Sequence, residues 1–101
     1  MAVYTVSQVA EYLAEVLGRD VVLQDLLVQG EVSNLSQPGS GHSYFSLRDS
    51  DATLRCVMFR GAHGAELLSS GMAIVAHGRA SMYARRGDLQ LIVDVVQLYG
   101  V

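Results

Sequence analysis

Tyr44, Arg55, Phe59 and Arg60 fall within one tract, Gly41 to Gly61, which reads GHSYFSLRDSDATLRCVMFRG. Aromatic rings give unpaired bases a face to stack on, and arginines give phosphates a counter-charge. Residues of these two kinds on one surface serve a single-stranded nucleic acid. A second group follows, with Arg79 and Tyr83 leading to Arg85 and Arg86 beside Gly87. Two adjacent arginines next to a glycine let side chains and backbone both approach a phosphate.

Such residues need a scaffold that presents them together. From about His42 to Arg48, Ser43, Phe45 and Leu47 alternate with His42, Tyr44 and Ser46, the period of a half-buried strand. With Phe45 and Leu47 turned to a core, Tyr44 faces out. Asp49-Ser50-Asp51 is turn chemistry, because short acidic and hydroxyl side chains bond their own backbone. A second strand follows from about Thr53 to Arg60. Leu54, Cys56 and Met58 share one face, and Arg55, Val57 and Phe59 the other. An unpaired charge is very costly in a small dry core, so the Arg55 face is the outer one.

The flanking sequence supplies the remaining elements. Thr5 and Gln8 form a helix-start pair. Val6, Val9, Ala10, Leu13, Val16 and Leu17 then recur at helical spacing, and Gly18 is expected to end the helix. This apolar stripe is expected to bury itself on the rest of the domain. A first strand reads from about Asp25 to Leu35, with Gly30 marking a bulge or bend. Residues 36–41 are loop by composition. Residues 62–70 read as a short helix broken by Gly71, and Met72 to Tyr83 as a fourth strand interrupted at Gly78. After the 85–88 turn, Leu89, Leu91, Val93 and Val95 alternate with Gln90, Ile92, Asp94 and Val96 as a fifth strand.

Five strands with a helix between the third and fourth give an all-β fold with short helices. This is the OB-fold, a five-stranded Greek-key barrel that binds across its second and third strands and the adjoining loops. The division expected is a helical extension over 1–20 and the barrel over 21–101.

Other chemistries are poorly served. His42, His63 and His77 lack metal spacing, and Cys56 has no second cysteine beside it, so no metal site or cofactor is expected. Pro38-Gly39-Ser40-Gly41 lacks the Gly-Lys-Ser/Thr ending of a phosphate-binding loop. No paired acids, nucleophile elbow or Cys/His signature marks a catalytic centre.

The 101 residues suit one small domain. No apolar run is long enough to span a membrane, no secretory leader is visible, and a lone cysteine fits a cytoplasmic setting. All seven cations are arginine, and the formal net charge is -3. That balance is unusual for a protein that must neutralise phosphates. It is, however, uneven: residues 1–31 hold five acids and one arginine, whereas residues 32–101 hold five acids and six arginines. The cations lie in the barrel.

Several segments together resemble a known family. They are Tyr4-Thr5-Val6-Ser7, Glu31-Val32-Ser33-Asn34, Gly41 to Asp49, Leu54 to Gly61, Gly78 to Tyr83 and Arg86 to Val93. In order and spacing they are similar to the N-terminal domain of the exodeoxyribonuclease VII large subunit. The resemblance implies an OB-fold that binds single-stranded DNA, with the nuclease centre in a later domain. It also implies a small helical subunit as partner, reached through that later part. Tyr44, Arg55, Phe59, Arg60, Arg79, Tyr83, Arg85 and Arg86 are the expected nucleic-acid contacts. Exposed outer-face aromatics and strand edges leave room for a weak or domain-exchanged homodimer. Two other readings compete: an RNA- or anticodon-binding OB module, and a docking module without nucleic-acid affinity of its own. The fold does not choose among them.

Overall fold

The computed structural model describes residues 1–100, and the last position of the expected 21–101 barrel lies outside them. The helix α1 spans Val6–Arg19, and the strands are β1 (Leu26–Ser36), β2 (Ser43–Arg48), β3 (Thr53–Met58), β4 (Ala73–Tyr83) and β5 (Asp88–Leu98). They close into a barrel in the order β1-β2-β3-β5-β4, with β3 and β5 parallel and the other neighbours antiparallel. This is the expected OB arrangement.

Closure depends on β1, which is long enough to serve two neighbours. Its first half pairs with β4 from Leu26 to Glu31, and its second with β2 from Glu31 onward. Gly30 lies at the hand-over. Of the bulge or bend expected there, it is not the bulge; it is a point of close approach. A side chain there would meet Leu47 Cβ at 3.2 Å and the Arg48 carbonyl oxygen at 3.3 Å. The bulge of β1 comes later, between Ser33 and Ser36.

Val32, Phe45, Leu47, Cys56, Met58, Ile74, Ala76, Leu91, Val93 and Val96 fill the barrel, with Leu68 sealing one end. Phe45 and Leu47 point inward and Tyr44 outward, as the alternation of β2 required. Cys56 is a core residue whose thiol is pushed up to about 12 by burial, so it stays protonated and unreactive. The β2–β3 turn is built as its residue types dictate. The Asp49 carboxylate accepts from the backbone N–H groups of Asp51 (2.8 Å) and Ala52 (2.9 Å), which lowers its pKa.

Two sequence expectations about β4 and β5 need correction. Gly78 does not interrupt β4. It is paired within the strand, and the irregularity is on β5, where the register shifts between His77/Val95 and Gly78/Val93. Asp94 is the extra residue. The bulge inverts the alternation, so Val96, rather than Val95, follows Leu91 and Val93 into the core.

The bulge also assembles a cross-strand clamp. His77 meets Asp94 through Nδ1 and Asp25 through Nε2, each at 2.6 Å. Both ring nitrogens donate only in the imidazolium, and the hydrogen bonds to Asp94 and then Asp25 raise the His77 pKa above its usual 6.5. A raised folded-state value stabilises the fold fully below the unfolded value and is lost as pH rises through the folded one. The thermal midpoint of the parent should therefore fall, relative to His77→Gln, as the pH is raised from about 6 through neutrality. Parallel melting curves for the two proteins would sink this account.

The expected helix over 62–70 is only a three-residue 3-10 turn, Ala65–Leu67. His63 instead bonds to β5, donating to the Asp94 carbonyl (2.8 Å) and accepting from the Val96 N–H (2.9 Å), which holds its backbone extended. Helical winding can begin only after Gly64.

At the N-terminus, Thr5 caps α1 as expected. Thr5 Oγ1 accepts from the Gln8 N–H at 3.1 Å, and Gln8 Oε1 accepts from the Thr5 N–H at 2.9 Å. Thr5→Ala should cost helix α1 about 1 kcal/mol, read as reduced helical ellipticity with the barrel intact. Gly18 does not end the helix. It keeps helical dihedrals, and α1 stops one residue later at Arg19, followed by extended Asp20. The larger departure concerns the stripe. Ala10, Ala14 and Leu17 are half-buried, whereas Val6, Val9, Leu13 and Val16 remain exposed. Helix α1 packs on β4, and Val6, Val9 and Leu13 line an open cleft with Met82 and Gly87 rather than being covered. Gln24 ties the helix end down, its amide donating to the carbonyls of Leu17 (2.9 Å) and Ala80 (3.1 Å).

Candidate nucleic-acid interface

β2 and β3 are joined in full register from Ser43/Met58 to Arg48/Thr53. Tyr44 therefore sits beside Val57, and Ser46 beside Arg55. The parallel pairing of β3 with β5, Cys56 to Leu91 and Val57 to Ile92, brings the start of β5 alongside. The β4–β5 turn then arches over the same surface. Its tightness comes from Gly87, which takes a φ of 68° and donates its N–H to the Tyr83 carbonyl at 2.8 Å.

These elements wall an open groove of about 490 Å³. That volume is within the roughly 300–1,000 Å³ of ordinary ligand sites. Tyr44 and Arg55 stand on the β2–β3 side, and Tyr83 and Arg86 on the turn side. Tyr44 is 44% exposed and Tyr83 47%, so both rings are free to accept a stacked partner. The floor is made by parts of Phe45, Ser46, Cys56 and Val57. A groove with a ring and a guanidinium on each wall can hold a strand by stacking and by charge together.

Its electrostatics are mildly positive. Arg86 is partnered by Asp88, Nε to Oδ2 at 3.3 Å, across the turn. Arg48 pairs with Glu31 and Arg19 with Glu15. Among the described residues Arg55, Arg60, Arg79 and Arg85 have no acidic partner, so Arg55 is the unneutralised cation of the groove.

The structure thus gathers four of the eight expected contacts, Tyr44, Arg55, Tyr83 and Arg86, into one groove. Phe59 and Arg60 lie just past the end of β3. Phe59 is exposed and meets the His42 ring edge-to-face at 5.5 Å, while the Arg60 N–H donates to His42 Nδ1 at 2.8 Å. Arg85 is exposed at the turn but does not line the groove, and Arg79 shares the outward face of β4 with His77. Sequence reading missed Asn34, Asp88, Leu89 and Gln90 as groove residues. The last three reach it only through the β3–β5 pairing, which joins strands distant in sequence. Asn34 did carry a signal: a Ser-Asn pair inside a strand is turn-type chemistry that marks an irregularity.

Comparison with known proteins agrees with this geometry. Residues 4–97 match the family model described as OB-fold nucleic acid binding domain. The chain belongs to that family. This OB domain is 42% identical over 99 residues to the exodeoxyribonuclease 7 large subunit of Legionella pneumophila (strain Corby), a match covering 95% of the chain and 22% of the relative. It is 45% identical over 100 residues to the large subunit of Pseudomonas fluorescens (strain Pf0-1), covering 97% and 21%. The OB domain thus spans about a fifth of the length of these curated relatives.

Among solved structures, it superposes on a replication protein A heterotrimer bound to ssDNA with a TM-score of 0.66 and 11% identity, covering 78% of this chain and 60% of that one. An Entamoeba histolytica asparaginyl-tRNA synthetase gives 0.62 and 18%, covering 83% and 22%. At these identities the likeness is one of fold.

Proposed function

We propose that the domain binds single-stranded DNA along the Tyr44–Arg55/Tyr83–Arg86 groove, as the N-terminal domain of an exodeoxyribonuclease VII large subunit. One observation carries the reading: two exposed rings and two guanidinium groups converge on a single open groove of an OB barrel. The relatives' shared name, exodeoxyribonuclease, supports DNA as the substrate class. The setting proposed is a cytoplasmic enzyme that degrades single-stranded DNA to short oligonucleotides. There the domain grips the strand while another part of the longer chain cuts it. Phe59, Arg60 and Arg85 extend the contact beyond the groove at the end of β3 and at the turn. The small helical subunit is engaged by the part of the longer chain outside these residues.

Competition binding is the direct test. A labelled single-stranded DNA 20-mer should be displaced by unlabelled single-stranded DNA better than by matched RNA or duplex. Preference for RNA would move the assignment to an RNA-binding OB module, since the 2′-hydroxyl is the handle that separates the two. Failure to bind any oligonucleotide at low salt would favour docking alone.

The 1–20 extension and the barrel are proposed to be separable, because α1 contributes no fully buried residue. The exposed Val6, Val9, Leu13 and Val16 provide a surface for weak or exchanged dimerisation, which light scattering over a concentration series reads directly. The purified domain itself should release no acid-soluble nucleotides from single-stranded DNA. Release that persists through successive purification steps would contradict a purely binding role.

A further inference from the structure

We infer that Asn34 is a specificity-determining residue of the groove: its amide reads the edge of a base lodged there. The inference rests on the reading of the groove as a single-stranded DNA site and deepens it.

The first observation is backbone conformation. Asn34 has a φ of 51°, in the left-handed region that side chains other than hydrogen avoid. Among the described residues, the other positive-φ positions are Gly41, Gly61, Gly64, Gly71, Gly87 and Gly100. Asn34 is the single non-glycine. Glycine would satisfy the backbone here at less cost, so the side chain calls for its own explanation. Asparagine tolerates this region better than most residues, and that is the plain alternative the test must separate.

The second observation is position. Ser33 faces Ser46 and Ser36 faces Tyr44, so Asn34 and Leu35 together oppose the single residue Phe45. That is a two-against-one bulge, and a bulge re-aims the side chain it carries. Leu35 packs against the core, and Asn34 lines the groove. It stands beside the strand that carries Tyr44, the proposed stacking ring.

The third observation is the free amide. Ser33 Oγ donates to the Ser46 carbonyl at 3.5 Å, and Gln37 donates to Ser43 Oγ (3.2 Å) and to the Ala65 carbonyl (3.3 Å). The Ser33 and Gln37 side chains are thus occupied within the protein. No described residue engages the Asn34 amide, and the residue is exposed. An amide offers two donors and one acceptor in a plane, which matches a base edge presenting a donor beside an acceptor. Phosphates offer acceptors only, so an Asn34 amide on a phosphate would use its N–H donors and leave its oxygen unmatched, whereas a base edge engages both.

The test compares the parent with Asn34→Gly and Asn34→Asp, using dA, dC and dT 12-mers and a 12-mer of abasic sugar-phosphate. Glycine keeps the φ, and aspartate keeps the shape without the amide donors. Asn34→Gly should melt no lower than the parent and bind the abasic 12-mer equally well. It should lose affinity for the three homopolymers unequally, by about five-fold to a hundred-fold for the best-read base. Asn34→Asp should shift the order of preference among the bases. The inference is overturned if Asn34→Gly keeps the parent's ratios among the homopolymers while Tyr44→Ala still weakens binding. Asparagine would then serve the bulge alone. If the parent binds none of the four, the groove assignment fails, and this inference with it.

Discussion

Gly78→Ala should prevent the barrel from folding stably. A β-carbon at position 78 would be driven into the carbonyl oxygen of Ile92, with the Ile92 carbonyl carbon at 3.0 Å and Val93 Cα at 3.1 Å. All three atoms are backbone, so no side chain can rotate out of the way. β4 and β5 would have to part at the bulge, where their register already shifts and where the Asp25–His77–Asp94 clamp is anchored. Overpacking in a closed interior costs about 1–3 kcal/mol even where side chains can yield, and here none can. A loss of about 3 kcal/mol or more would remove a large part of the roughly 5–15 kcal/mol that holds a domain of this size. Gly18 gives the internal control, since nothing lies within 4 Å of its would-be side chain in helix α1. Gly18→Ala should stabilise the helix by about 0.5–1 kcal/mol. Urea titrations followed by circular dichroism measure both variants. A Gly78→Ala midpoint matching the parent's would refute the close approach.

The second large effect is on binding. Tyr44→Ala and Tyr83→Ala should each weaken single-stranded DNA binding by about 1–3 kcal/mol if each ring stacks one base. Neither ring belongs to the core cluster, so the melting midpoint should hardly move. The double variant should lose close to the sum if the two rings stack different bases. Fluorescence anisotropy with a labelled 20-mer resolves these losses. Full affinity in the double variant would remove stacking from the account.

The sequence made the local features of this domain legible. Thr5 and Gln8 announced the cap, Asp49 its turn, and the alternation of β2 placed Tyr44 outside. Each depends on residues a few positions apart. The features that escaped depend on contacts distant in sequence. The bulge at Asp94 is imposed where β5 must pass Gly78 on β4, and it turned Val96 inward against the simple alternation. His63 is drawn into pairing with β5, which shortened the helix expected over 62–70 to one turn. The stripe on α1 had the right periodicity, but the helix packs only along β4, so most of the stripe stays exposed.

The site divides in the same way. Tyr44 and Arg55 follow from strand alternation, and Tyr83 and Arg86 from the family resemblance and the turn. That the four line one groove follows only from barrel closure. Asp88, Leu89 and Gln90 join them because β5 lies parallel to β3, a pairing that no local pattern encodes.

The most direct measurement of the central claim is the salt dependence of single-stranded DNA binding for the parent, Arg55→Gln and Tyr44→Ala. Removing the cation that neutralises one phosphate of a single strand should reduce the slope of log K against log[salt] by about 0.7. Arg55→Gln is expected to flatten the slope by about that amount, because Arg55 is the groove cation without an acidic partner. Tyr44→Ala is expected to lower affinity at every salt concentration and to leave the slope unchanged, because stacking releases no counterions. If both variants stay folded and reproduce the parent's affinity and slope, the groove is not where this domain holds DNA.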